Sequence, residues 1–147
     1  MKRKFFAIIL STLVATSFIS CGTSNTSKLK DGSYSVETAK ADDHGYKAKL
    51  SITVSDGKIT EANYNEFNAE TNALKREDKD YNEKMKGVSG VGPEEFEPQL
   101  EKSLIDKQSS EIDVVTGATS SSEQFKKLAA EVLKNAEEGK TEATLIE

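Results

Sequence analysis

The chain has one cysteine, one histidine, two prolines and two methionines in 147 residues. A lone cysteine, Cys21, excludes internal disulfides and CxxC redox chemistry. A lone histidine, His44, excludes a Ser-His-Asp catalytic set, because nothing in the sequence positions it as a base. His44 follows Asp42 and Asp43, too few ligands for a metal site, so this stretch reads as a solvated loop. There is no P-loop, since no Gly-Lys-Ser/Thr closes a glycine-rich turn, and no nicotinamide-binding fingerprint. The sequence has no internal repeat. Charged residues make up 31% and hydrophobic ones 35%, which suits one small domain with a modest core. The formal charge is −5, and it falls to −8 without Lys2, Arg3 and Lys4. So acidic a surface argues against nucleic acid and against a purely electrostatic grip on anionic lipid.

The N-terminus carries an export pattern. Lys2, Arg3 and Lys4 form a basic segment, and Phe5 to Val14 is an apolar run too short to span a bilayer. Phe18-Ile19-Ser20-Cys21-Gly22 resembles the lipobox of bacterial lipoproteins, with Phe18 departing from the usual Leu or Val. The resemblance implies cleavage before Cys21 by the lipoprotein processing enzymes and a lipid anchor on its sulfur. The alternative is an ordinary secretory signal with a stray cysteine. The expected organisation is a signal peptide over 1–20, a Ser/Thr/Asn/Lys-rich tether over 21–30, a domain over 31–139 and a tail over 140–147.

Within the domain, Ser33 to Thr38 reads as a short strand. Tyr46 to Ser55 alternates strictly, Ala48, Leu50, Ile52 and Val54 against Lys47, Lys49, Ser51 and Thr53, the pattern of a strand with one buried face. Asp56-Gly57 then predicts a hairpin turn, with Lys58 to Tyr64 returning. Asn65 to Lys79 is polar and carries no clear period. Asp80 to Lys86 predicts one or two helical turns stopped at Gly87. Pro93, at a helix N1 position, opens a helix with Phe96, Leu100 and Leu104 on one face. Ile112 to Val115 reads as a short buried strand. The last segment predicts a long helix. Phe125, Leu128, Ala129, Val132, Leu133 and Ala136 form a continuous stripe, Ser120 to Glu123 has capping-box spacing, and Gly139 is a natural stop. The fold class is therefore α+β, an antiparallel sheet packed against a long C-terminal helix with a helical middle insertion.

Between those last two segments lies the candidate site. Gly117 and Ala118 let a ligand approach the backbone, and Thr116, Thr119, Ser120, Ser121 and Ser122 crowd hydroxyls before a helix N-terminus. The arrangement suits a phosphate, and it equally suits a well-capped helix. Asp113-Val114-Val115-Thr116-Gly117-Ala118-Thr119 resembles the Asp-x-x-Ser/Thr-Gly-Ala-Thr motif of the FMN-binding domain family. Asp31-Gly32-Ser33-Tyr34, Gly45-Tyr46 and Val54 to Ile59 resemble its opening strands, and Met85, Pro93, Leu100 and Leu104 its middle region in lipoprotein members.

The resemblance implies FMN joined by a phosphoester to Thr119. A separate flavin transferase would install it, using FAD as donor and magnesium as its own cofactor. Asp113, Thr116, Gly117, Ala118, Ser120 and Ser121 would complete the cofactor-binding set. For Asp113, a role in recognition or in orienting the loop and simple satisfaction by nearby N–H groups stand level. A threonine hydroxyl without a base fits a transferase substrate better than a catalyst. Tyr46, Tyr64 and Met85 are candidates to touch the flavin ring, with core packing or exposure the simpler reading for each. The expectation is an electron-transfer protein rather than a stand-alone enzyme, lipid-anchored on the extracytoplasmic face, with an unidentified redox partner. The rivals are a non-covalent flavin carrier and a non-redox surface lipoprotein, an adhesin or immunogen, of the same fold.

Overall fold

Residues 28–147 are described by the structure, a computed structural model. The expected signal peptide, Cys21 and the expected tether as far as residue 27 lie outside the described residues. Three strands follow one another: β1 (Gly32–Thr38), β2 (Tyr46–Ser55) and β3 (Lys58–Asn68). Helices α1 (Lys79–Ser89), α2 (Pro93–Lys107) and α3 (Thr119–Glu138) come next, and a short strand β4 (Thr144–Ile146) ends the order.

Period-two alternation builds the sheet. β1, β2 and β3 pair antiparallel, and Val36, Leu50 and Tyr64 stand side by side across them, each with no exposed surface. The β2–β3 turn places Asp56 and Gly57 at φ 53° and 73°, the two positive values that match a tight turn to strand twist. α3 lies over β1 and β2 while α2 follows β3, so both helices feed one core. Phe125, Leu128, Ala129, Val132 and Ala136 are fully buried, the stripe expected of α3. Each large apolar side chain so buried contributes roughly 1.5–3 kcal/mol. Tyr64 and Phe125 meet edge to face at 4.9 Å, joining α3 to the sheet.

The expected α+β architecture is present, with several local corrections. The sheet is mixed, in the order β3-β2-β1-β4, because Thr144–Ile146 pairs parallel to β1. A three-residue strand has too few positions to show a period, so this edge reads as tail in the sequence. Helix α1 does not stop at Gly87. It continues to Ser89 and closes at Gly90, whose φ is 82°. Gly87 keeps a helical backbone there, and a mid-helix glycine costs only about 1 kcal/mol.

Ile112 to Val115 is not a strand. Neither sheet edge is offered to it, and the Val115 N–H is satisfied by the Ser122 hydroxyl at 3.0 Å instead. The capping box does not form either, since α3 begins earlier, at Thr119, with Ala118 as the N-cap.

Candidate functional site

The motif loop is fastened before it is functional. The Ala118 N–H donates to the Val115 carbonyl at 3.0 Å, closing a turn over Thr116 and Gly117. Ser122, fully buried, donates its hydroxyl proton to the Ala118 carbonyl at 2.8 Å while accepting from Val115. One hydroxyl thus ties the turn to the first turn of α3. Gly117 has φ 86°, and a Cβ there would strike the carbonyl oxygen of Ser89 and crowd Val91. The position needs glycine twice over, for its backbone angle and for its contact with the end of α1.

Beside this loop, where β2 begins and β3 ends, lies a cavity of about 680 Å³. That volume is within the roughly 300–1,000 Å³ of small-molecule sites. Gly117, Ala118, Thr119, Ser120 and Ser121 form one wall at the α3 N-terminus. Opposite them come Thr38 and the loop holding Lys40, Asp42 and His44; Tyr46 and Ala48 of β2; Glu66 of β3; Lys75; and Tyr81 and Met85 of α1. Asp42 shapes its loop by accepting from the His44 and Tyr46 N–H groups at 2.9 and 2.8 Å.

Five of the seven candidate cofactor-binding residues therefore meet at the cavity, and two do not. Asp113 points into solvent, its side chain 94% exposed and paired with Lys107 at 2.7 Å. The Lys107 ammonium holds this carboxyl below the ordinary range. Thr116 is exposed at the turn and does not line the cavity. Of the aromatic and thioether candidates, Tyr46 and Met85 line it. Tyr64 is core, its ring against Phe125 and its hydroxyl donating to Glu66 at 2.9 Å. Burial and the Glu66 carboxylate push that phenol well above its usual range.

Lys75, Glu66, Tyr81 and Gln124 are among the lining residues that the sequence did not point to. Lys75 is only 6% exposed and is paired with Glu66 at 2.6 Å. Its ammonium also lies 4.6 and 4.9 Å from the ring centres of Tyr46 and Tyr81, within cation–π range. Burial alone would lower its pKa; the Glu66 carboxylate and Tyr81 outweigh that, and the group stays charged. In sequence Lys75 sits in a polar run and looks solvated. The available signal was Glu66, two residues beyond Tyr64 and so on the same face of β3.

The residues present fit a flavin. Tyr46, Tyr81 and Met85 offer apolar and aromatic surface. Gln124, on the cavity wall, has a buried Nε2 without a hydrogen-bond partner among the described residues, a donor for a ligand acceptor. The hydroxyls and helix N-terminus near Thr119 suit a phosphate monoester. Among the described residues no cluster of three His, Cys, Asp or Glu side chains could hold a metal ion.

A sheet covered by helices on one face, with an anion-suited loop opening on an aromatic cavity, defines a small α+β ligand-binding domain. Comparison with known proteins gives the family. Residues 44–134 match the FMN-binding domain family, and this chain belongs to it. The chain is also 33% identical over 146 residues to the 15 kDa lipoprotein of Treponema pallidum (strain Nichols), across 99% of this chain and 98% of the relative. A crystal structure of a Clostridium perfringens protein is 85% identical, with a TM-score of 0.80, covering 80% of this chain and 97% of that one. A solution NMR structure from Clostridium thermocellum is 26% identical with a TM-score of 0.51, covering 74% and 92%.

Proposed function

We propose that the chain is a lipid-anchored flavoprotein of the extracytoplasmic face, carrying FMN covalently on Thr119 and exchanging electrons with a redox partner. The observation that carries this reading is the position of Thr119. It is the exposed first residue of α3 and forms part of the cavity wall that also holds Tyr46, Tyr81 and Met85. An exposed hydroxyl at a helix N-terminus, beside a cavity of flavin-compatible size, suits the acceptor of a transferase. In that transfer the Thr119 Oγ–phosphorus bond forms as the pyrophosphate bond of FAD breaks. AMP leaves, and the hydroxyl proton passes to the transferase. The phosphodiester monoanion that remains would be held by the α3 N-terminus.

When bound, FMN supplies reversible electron transfer. The chain's own residues position it and limit water. A relative named as a lipoprotein, together with the setting of Cys21, supports the membrane anchor. A covalent link is advantageous at that location, since a dissociated flavin outside the cell would not be replenished. A tether of about nine residues spans roughly 15–18 Å, enough for the domain to visit a membrane partner.

The test is intact mass and peptide mapping of the full chain co-expressed with a flavin transferase. An added mass of FMN on the peptide bearing Thr119 is expected, and Thr119→Val abolishes it. Yellow colour that survives denaturation and washing in Thr119→Val sinks the Thr119 linkage. Colour lost on washing from both proteins favours a non-covalent carrier. Absence of flavin altogether favours the non-redox lipoprotein.

A further inference from the structure

The charged residues around the cavity divide sharply by burial. Lys40, Asp42 and Glu147 are exposed and Lys47 is half-buried, so water and salt weaken their fields. Lys75 and Glu66 are different, with side chains only 7% exposed each. Lys75 has a defined location as well. Glu66 accepts from it at 2.6 Å, and the faces of Tyr46 and Tyr81 flank its ammonium. Glu66 is itself held in place, because its other oxygen accepts from the Tyr64 hydroxyl and its backbone N–H donates to Glu97 at 3.2 Å. The result is a fixed cation on the cavity wall, oriented by a carboxylate behind it.

We infer that Lys75 sets the reduction potential of the site, stabilising the negative charge that arrives with electrons, and that Glu66 is the positioning residue that holds and attenuates it. This rests on the flavin reading above. Reduction brings two electrons and one proton into the cavity, dithionite being the electron donor in the experiment below, so one negative charge is added. A buried cation on the wall favours that charge far more than a solvated one. The counter-charge of Glu66 keeps the effect below that of a lone lysine. The inference therefore requires opposite responses. Loss of the cation makes reduction harder, and loss of its counter-charge makes it easier.

The experiment is an anaerobic dithionite titration of the flavin-loaded full chain against reference dyes, following flavin absorbance. The proteins are wild type, Lys75→Met, Glu66→Gln and the double variant. Lys75→Met is expected to lower the reduced-to-oxidised ratio at fixed solution potential by about tenfold, which is about 30 mV for a two-electron couple. Glu66→Gln is expected to raise it. The double variant, which leaves no unpaired buried charge, falls between them, and Lys75→Arg restores much of the wild-type value. Thermal unfolding of the unloaded chains reports folding independently of flavin, and the double variant stands in if Lys75→Met does not fold. Shifts of the same sign for Lys75→Met and Glu66→Gln, or a double variant no harder to reduce than Glu66→Gln alone, overturn the inference while the flavin reading stands. A wild-type chain that takes up no flavin overturns both.

Discussion

At the residue scale, Glu97 shows how far the interior departs from water. Its side chain is fully buried between α2 and the outer edge of β3. Burial pushes the carboxyl up to about 7, against the opposing pull of Arg76 and of the Glu66 N–H. The folded chain therefore binds a proton here that the unfolded chain releases between the ordinary value of 4.5 and about 7. Protons favour the folded state in that window, so this residue makes stability fall as pH rises through it. Glu97→Gln should flatten the change, seen as a smaller difference in urea midpoint between pH 5 and pH 8 than in wild type. An undiminished difference would place the titration elsewhere. Ser122 carries a comparable lesson in a neutral group. It lies inside the Ser120–Glu123 capping-box spacing without being either end of it, and its inward hydroxyl joins the Val115 N–H to the Ala118 carbonyl.

At the scale of elements, β3 is a sheet edge and would invite pairing with another chain. α2 prevents this with side chains spaced along one face. Gln108 accepts from the Ile59 N–H at 2.7 Å and donates to its carbonyl at 2.9 Å. Glu101 accepts from Tyr64 at 2.8 Å, Glu97 accepts from Glu66, and Arg76 donates to the Tyr64 carbonyl. Arg76 also bridges Glu97 and Glu101, so the edge is satisfied by one connected polar set. α1 is held differently. Asp78 caps its start by accepting from Tyr81 at 3.0 Å, and the Asn82 side chain donates to the Asp78 and Arg76 carbonyls. Gly87 contributes nothing to that packing, since a Cβ would meet no atom within 4 Å and its φ is not positive. Gly87→Ala should stabilise the protein by about 0.5–1 kcal/mol. Urea denaturation at fixed pH measures this, and destabilisation would mean that the helix is interrupted there.

At the scale of the whole molecule, the cavity belongs to no single element. Its walls come from the end of β1, the start of β2, the end of β3, α1 and the α3 N-terminus, segments far apart in the chain. A group bound there bridges them and stabilises only the folded chain. The flavin-loaded chain should therefore melt at a higher temperature than the same chain with Thr119→Val, by several degrees for each 1–2 kcal/mol of binding. Calorimetry of the two proteins at equal concentration measures the difference. Equal midpoints in a chain shown to carry flavin would mean that the ring lies outside the cavity. None of the described helices is long and apolar enough to cross a membrane.

Local chemistry was legible in the amino-acid order itself. Alternation along Tyr46 to Ser55, positive φ at Asp56-Gly57, the apolar stripe of α3 and the motif at Thr119 each depend on neighbours within a few residues. The α+β class and membership of the FMN-binding domain family followed from those signals. Tertiary structure decided what depends on distant partners. It left Ile112 to Val115 without an edge to join, moved Asp113 and Thr116 out of the cavity and made Thr144–Ile146 a strand against β1. It also turned Lys75 from an apparent surface charge into a buried cation. The physical reason is the same throughout. Periodicity and turn chemistry are short-range, whereas desolvation of a charge and completion of a sheet edge are fixed only by residues that meet when the chain has folded.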